Sequence, residues 1–500
     1  MMVNLMLKKH FKFIASIFLL VNTSIVEAKS MSKDPILKHH QKTSASEIVD
    51  QALKQIAKEN NRYRAVIVSG GERVAKAADE IDRLDPEERK KLVLGGVPVL
   101  VKDNIETSEW PTTAGSLILA RNYTRRDAEI VSNLRQNGAI IIGKTNLSEW
   151  ANFRSEGSIS GWSAIGGQTR NAHDPNRTAC GSSSGSAVSV ARGYVSIAIG
   201  TETDGSIVCP AAMNGVVGFK PTHGILSSSG IIPIASSQDT AGPIASDVTS
   251  AALALGGMLG SNDSSDTLRS ALINLEKPDD LYGIRVGAIA NPLLQHKQLD
   301  ILLSSALSDF RKIGAEVIGN LSLDKPENIQ KEEFSVLMHE FRLEIDHYLG
   351  NLPNDLNHLT LKKIVELNRE DPVELSFFGQ TIFEAALTQN LTPEQYRSKL
   401  ESIKRVARAD GLDHLFDENR LDLIVGISNG PAWIIDQNKG DTFSGPSLSQ
   451  YPAIGGHPHI TVPLGTADEL PIGLSFIGRR MDDAKIAAIA LAFEALLKQK

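Results

Sequence analysis

Cysteine is almost missing from this chain of 500 residues: Cys180 and Cys209 are the only two. Long basic runs are missing as well, and the mild formal net charge of -7 points away from nucleic acid as a partner. The 12 histidines are scattered, with His39-His40 in a polar stretch near the start, so no spaced set of metal ligands stands out. After residue 30 no apolar run reaches the ~20 residues that a membrane-crossing helix needs. A Ser/Gly-rich stretch in mid-chain lacks the Gly-Lys-Ser/Thr ending of a phosphate-binding loop. Aromatic residues make up only 5%, against 41% hydrophobic residues in all, so a core of the size this length allows is built from aliphatic and small side chains.

What is present begins with a segment set apart from the rest. Lys8, Lys9 and Lys12 are followed by the apolar run Phe13 to Val21, and Val26-Glu27-Ala28 places small residues at cleavage positions. This pattern predicts a secretory signal peptide over 1–28, too short to span a membrane, and a soluble mature protein that is periplasmic or secreted. An uncleaved N-terminal anchor is the alternative. Export permits a disulfide. Even so, Cys180 and Cys209 read first as small packing residues beside two serines of interest, with a bridge as the lesser alternative.

Residues 29–44 are polar and read as a tail. Ile48, Val49, Leu53 and Ile56 recur at helical spacing over about 45–59. Strand-like and helix-like segments then alternate: Tyr63 to Val68, a charged helix carrying Ala75, Ala78, Ile81 and Leu84, Val97–Val101, Ala128–Gln136, Ala139–Ile142, Ser186–Arg192 and Val195–Ile199. Continuous apolar strands between helices predict an α/β protein with a mixed, largely parallel β-sheet covered by helices. From about 263 to 422 charged helical segments dominate, at Lys331–Tyr348, Leu359–Leu367 and Pro393–Ala409, and predict an additional helical insertion or cover. Strand patterns resume at Leu421–Val425, His459–Pro463 and Ile472–Ile477, before a closing helix over Asp483–Leu497. The whole of 29–500 reads as one domain.

Chemistry concentrates between Gly166 and Gly224. Cys180-Gly181-Ser182-Ser183-Ser184-Gly185-Ser186 and Thr201-Glu202-Thr203-Asp204-Gly205-Ser206 are two loops that expose serine hydroxyls among flexible backbone amides. A serine nucleophile with an oxyanion hole needs such a setting, together with a base. Lys102, at the end of the apolar run Val97–Val101, is the candidate base. Desolvation would have to lower its pKa from ~10.4 toward ~7–8; a lysine that merely snorkels outward is the alternative. Gly181-Ser182-Ser183-Ser184-Gly185 also matches the G-x-S-x-G nucleophile elbow, centred on Ser183. The residues before it read as loop rather than strand, and the only later histidines of note are His457 and His459.

Taken together, Gly95 to Asn104, Gly143-Lys144-Thr145-Asn146, the serine- and glycine-rich stretch through Gly218-Phe219-Lys220-Pro221-Thr222, Gly456-His457-Pro458 and Leu470 to Leu474 resemble the amidase signature family over most of the mature chain. Asn146 to Phe153 and Thr201 to Pro210 look nearest to bacterial peptide amidases, which remove the C-terminal amide of peptides and release ammonia. The resemblance implies the amidase signature fold and a Ser–cis-Ser–Lys triad of Ser206, Ser182 and Lys102, the serines 24 positions apart. It moves the nucleophile from Ser183 to Ser206, places a cis peptide at Gly181–Ser182, and implies an oxyanion hole from the N–H groups of Thr203, Asp204, Gly205 and Ser206. Asn152 is implied as a substrate-binding residue, with a loop or helix-cap role as its alternative. No metal or organic cofactor is implied, and the expected partner is a small-molecule or peptide amide met by a monomer or homodimer. Two departures stand out: the commoner family pattern has glycine at Asp204 and arginine at Val208. The carboxylate of Asp204 is expected to disfavour a negatively charged peptide end. Other readings are an esterase or aryl-acylamidase on the same triad, the amidase-like component of a tRNA-dependent amidotransferase, and a catalytically dead binding protein.

Overall fold

In the computed structural model of the chain, residues 43–290, 296–323, 326–353, 355–443 and 445–499 are described; the expected signal peptide and most of the polar tail lie outside them. Among the described residues, eleven strands form one sheet. Their order across it is Val66–Ser69, Ile140–Thr145, Pro98–Lys102, Ile197–Glu202, Thr240–Ala245, Val217–Lys220, His459–Ala467, Leu470–Ile477, Leu423–Ile427, Arg285–Ile289 and Glu316–Leu321.

The sheet is mixed, but the expectation that it is largely parallel is corrected. Six of the ten neighbouring pairs are antiparallel, and the parallel pairs sit in two groups of three strands. A continuous apolar run reports burial on both faces, which helices on both sides produce whatever the strand direction. Direction is set by the connections. His459–Ala467 and Leu470–Ile477 are joined by a tight turn at Asp468 and Glu469, both at positive φ (50° and 64°), as the two-residue hairpins that match strand twist require. Val217–Lys220 and Thr240–Ala245 are joined by an irregular segment rather than a helical crossover, and pair antiparallel.

Side-chain alternation distributes the core over both faces. In Pro98–Lys102, Val99 and Val101 join a cluster with helices Glu129–Gln136, Val248–Met258 and Asp483–Leu497. Leu100 joins the opposite cluster with Ala45–Tyr63 and Ser184–Ala191. Lys102 follows Leu100 by two residues, and alternation therefore turns it to the face where the helix Ser184–Ala191 packs.

The stretch 263–422, read as helical, contains two strands, Arg285–Ile289 and Glu316–Leu321, which extend the main sheet at one edge. Its helices Ile329–Gly350, Leu361–Glu370 and Thr381–Thr388 pack on Trp150 and Phe153. They are pinned by Arg154, fully buried, which pairs with Glu149 and with Glu374 at 3.0 Å and lies over the Phe378 ring. Among the described residues no helix is long and apolar enough to cross a membrane.

Candidate active site

Two glycines allow the serine loop to press against its neighbours. A Cβ on Gly181 would overlap Ser148 Oγ, and one on Gly185 would overlap the backbone of Ala65 and Asn146. The loop is drawn in further by Ser148 N, which donates to Ser182 O at 3.0 Å, and the Gly181–Ser182 peptide is cis. Ser182 itself is fully buried.

Lys102 enters from the end of its strand, 0% exposed. Its Nζ lies 2.7 Å from Ser182 Oγ and donates to Thr201 Oγ1 at 2.8 Å and Thr201 O at 3.2 Å. Burial lowers its pKa to about 7, against the opposing pull of the Asp239 and Glu202 carboxylates. The neighbouring Asp103 faces elsewhere, paired with the buried Lys144 at 2.9 Å. Asn104 donates to Thr201 Oγ1 at 3.0 Å. Lys102 is therefore inside the site, not snorkelling.

Ser206 lies on the second loop, half-buried, behind Gly205 at φ 77°. Its carbonyl accepts from Ser183 N at 3.1 Å, so the two serine loops are joined through the backbone. The Ser182 and Ser206 hydroxyls are not hydrogen-bonded to each other here; such bonds commonly tighten only when substrate binds. Glu202, buried, takes the N–H groups of Ile207 (2.7 Å) and Val208 (3.1 Å) and so turns the chain straight from Ser206 into the helix Val208–Met213. Burial raises the Glu202 pKa and lowers that of Lys220, its buried counter-charge, to about 8. The Asp204 side chain is exposed at the loop surface.

Ser183 does not lie open. It is fully buried, donating to Thr201 O at 3.0 Å and accepting from Thr201 N at 3.2 Å. His457 bonds Asp413 at 2.9 Å and His459 bonds Ser475 at 2.6 Å; neither has a serine of these two loops among its partners. Among the described residues, then, no general base partners an elbow centred on Ser183. Asn152 is half-buried at φ 68°, after Trp150 and Ala151, which are also left-handed. Its Nδ2 donates at 3.2 Å to Ser160 Oγ, which stands 3.3 Å from where a Cβ on Gly181 would be. Asn152 thus ends the short helical segment Glu149–Asn152 and is tied to Ser160 near the serine loop. Among the described residues no three His, Cys, Asp or Glu side chains gather as metal ligands.

Cys180 and Cys209 form a disulfide, with Cα atoms 6.0 Å apart, which corrects the reading of both as packing residues. Chain positions alone carry no Cα separation, and the bridge depends on the two serine loops lying side by side. It closes a loop across 29 positions, and such closure contributes about 3.6 kcal/mol. Cys209→Ala is expected to lose about that much unfolding free energy in urea titrations. Dithiothreitol should move the parent's midpoint to the variant's without moving the variant.

Thr201, Glu202 and Asp239 surround the lysine and the loop; the sequence pattern names Thr201 and Glu202 only as part of the second loop and gives none of the three a role. The only available signal was that two acids and a threonine lie in or near the Gly-rich stretch.

A family model described as Amidase matches residues 47–486. A probable amidase of Arabidopsis thaliana is 33% identical, over 96% of this chain and 92% of its own length. A glutamyl-tRNA(Gln) amidotransferase component of Caldanaerobacter subterraneus is 30% identical, over 92% of this chain and 95% of its own length. Among solved structures, the native peptide amidase from Stenotrophomonas maltophilia is 39% identical with a TM-score of 0.83, covering 91% of this chain and 93% of that one.

Proposed function

The chain belongs to the amidase family, and from that premise we propose that it hydrolyses carboxamides, the C-terminal amide of peptides above all, with Ser206 as nucleophile. The observation that carries the reading is a fully buried lysine with a pKa of about 7 whose Nζ lies 2.7 Å from a buried serine hydroxyl. Neutral Lys102 accepts the proton of Ser182, and Ser182 accepts that of Ser206, so the middle hydroxyl both donates and accepts. Ser206 Oγ bonds to the amide carbon, and the carbonyl electron pair moves to oxygen. Backbone N–H groups of Thr203, Asp204, Gly205 and Ser206 hold that oxyanion, each donor typically contributing ~10²–10³ in rate. The oxyanion collapses, the C–N bond breaks, and the relay returns its proton to nitrogen, which leaves as ammonia. Water then adds to the acyl-enzyme by the same relay, releasing the acid and restoring Ser206.

Likeness to the peptide amidase fold over most of both chains, with Asn152 bonded to Ser160, whose hydroxyl lies close to Gly181, supports a peptide amide over a small aliphatic amide. The exposed Asp204 carboxylate repels the carboxylate product and favours its departure. The disulfide suits an exported enzyme, consistent with a signal peptide over 1–28.

The test is ammonia release from an amidated dipeptide by residues 29–500, beside the corresponding ester and anilide. Release from the amide at the highest kcat/KM is the expected result, and a clear preference for ester or anilide would overturn the substrate assignment. In the same assay Asp204→Gly should tighten inhibition by the free-acid peptide several-fold.

A further inference from the structure

The segment 236–239 runs along the helix Ile329–Gly350 and is held to it at successive residues. Ser236 N donates to Glu344 Oε1 at 3.2 Å, Ser237 N to Glu340 Oε2 at 3.0 Å, and Gln238 Nε2 to Glu333 Oε1 at 3.0 Å. Spacings of seven and four place the three carboxylates on one helix face. The Nε2 of Gln238 has a second task, donating to Thr203 O at 3.2 Å. A primary amide nitrogen carries two hydrogens, and these two acceptors use both. Gln238 is only 2% exposed. Beside it, Asp239 accepts from Thr203 Oγ1 at 2.5 Å, and its other oxygen takes Ile234 N at 2.7 Å and Ala235 N at 2.9 Å.

Thr203 is thus held at its carbonyl and at its hydroxyl. That carbonyl belongs to the peptide unit whose N–H is Asp204's. In a planar trans peptide C=O and N–H point in opposite directions, so fixing the oxygen toward Gln238 aims the Asp204 N–H away from it, across the loop that carries Ser206. We propose that Gln238 and Asp239 are positioning residues that orient the Thr203–Asp204 peptide as an oxyanion-hole donor, with the helix Ile329–Gly350 fixing Gln238 through Glu333. This rests on the reading of Thr203 to Ser206 as the oxyanion-binding loop. Neither residue touches substrate; their effect is to hold the donor in place before charge develops, so that no reorganisation accompanies the reaction.

The test is Gln238→Met, which keeps the volume and removes the donor. Complete loss of an oxyanion donor costs ~10²–10³; loosening one is expected to lower kcat about tenfold, with KM within twofold. Affinity for a peptide aldehyde, whose adduct with Ser206 carries the same oxygen charge, should fall by the same factor. Affinity for the free-acid peptide, which forms no tetrahedral centre, should not change. Thr203→Val, nearly isosteric, should show the same signature at smaller size and covers a Gln238 variant that folds poorly. A rise in KM at constant kcat, or a fall in kcat with aldehyde affinity intact, would overturn the assignment. Activity that survives Ser206→Ala would instead overturn the reading of the loop beneath it.

Discussion

Ser206→Ala is expected to lower kcat for amide hydrolysis by about 10⁴-fold or more while leaving KM within a few-fold. The nucleophile makes its bond only as the reaction proceeds, so its removal takes away transition-state stabilisation and little ground-state binding. Background catalysis by the remaining site keeps the loss finite. The comparison that gives the result meaning is Ser183→Ala. Both serines lie in loops that look equally reactive, but Ser183 Oγ is bonded to Thr201 on both its donor and acceptor sides and is sealed from solvent. Its variant should lose stability rather than the acyl-enzyme. Ammonia release and a burst of acyl-enzyme from a slowly deacylating ester check both. A burst that persists in Ser206→Ala would remove it as nucleophile.

Lys102→Met carries the second large effect, a fall in kcat/KM of roughly 10²–10⁴. The base must be neutral, and the buried lysine has a pKa of about 7. In the parent, kcat/KM should therefore climb with pH through about 7 and then level. Residual activity of the variant should lack that limb. The same lysine leaves a mark on stability. Folding lowers its pKa from the ordinary ~10.4, so between about 7 and ~10 the unfolded chain holds a proton that the folded chain does not. Stability then rises with pH through that window, and the penalty for burying the charge is complete below it. The melting temperature of Lys102→Met, relative to the parent, should become more favourable as pH falls from 9 to 6. A difference independent of pH would mean that Lys102 is not neutral in the folded enzyme.

Which parts of this molecule could be read from sequence follows from the physics of each part. Continuous apolar runs placed strands at Val97–Val101 and Val195–Ile199, found at Pro98–Lys102 and Ile197–Glu202, and the apolar pattern placed the closing helix Asp483–Leu497, because burial is written in the order of apolar residues. The strand Thr240–Ala245 escaped notice because Gly242 and Pro243 interrupt its pattern, although it sits mid-sheet between two partners. Strands at Arg285–Ile289 and Glu316–Leu321 were hidden among charged helices. The latter is largely exposed, at the sheet's edge, and shows no continuous apolar run. Lys102 Nζ reaches Ser182 Oγ at 2.7 Å, and Ser206 lies on the adjoining loop, joined to Ser183 through its backbone carbonyl. Gln238, Asp239 and Glu333 act through contacts between residues 35 to 95 positions apart, which no local pattern encodes. The Cys180–Cys209 bridge, for the same reason, overturns the packing role that the local pattern favours.

That bridge also has a topological meaning. With the intervening backbone it closes a covalent ring containing Ser182, Ser183, the helix Ser184–Ala191, the strand Ile197–Glu202 and Ser206. Cutting any one peptide bond inside the ring leaves both serines on a single joined molecule. Lys102 stands outside, so any cut between it and Cys180 places the base on a separate piece, tied to the serines by packing and hydrogen bonds alone. The proposed relay is thus divisible at one joint only, between the lysine and the pair it would serve.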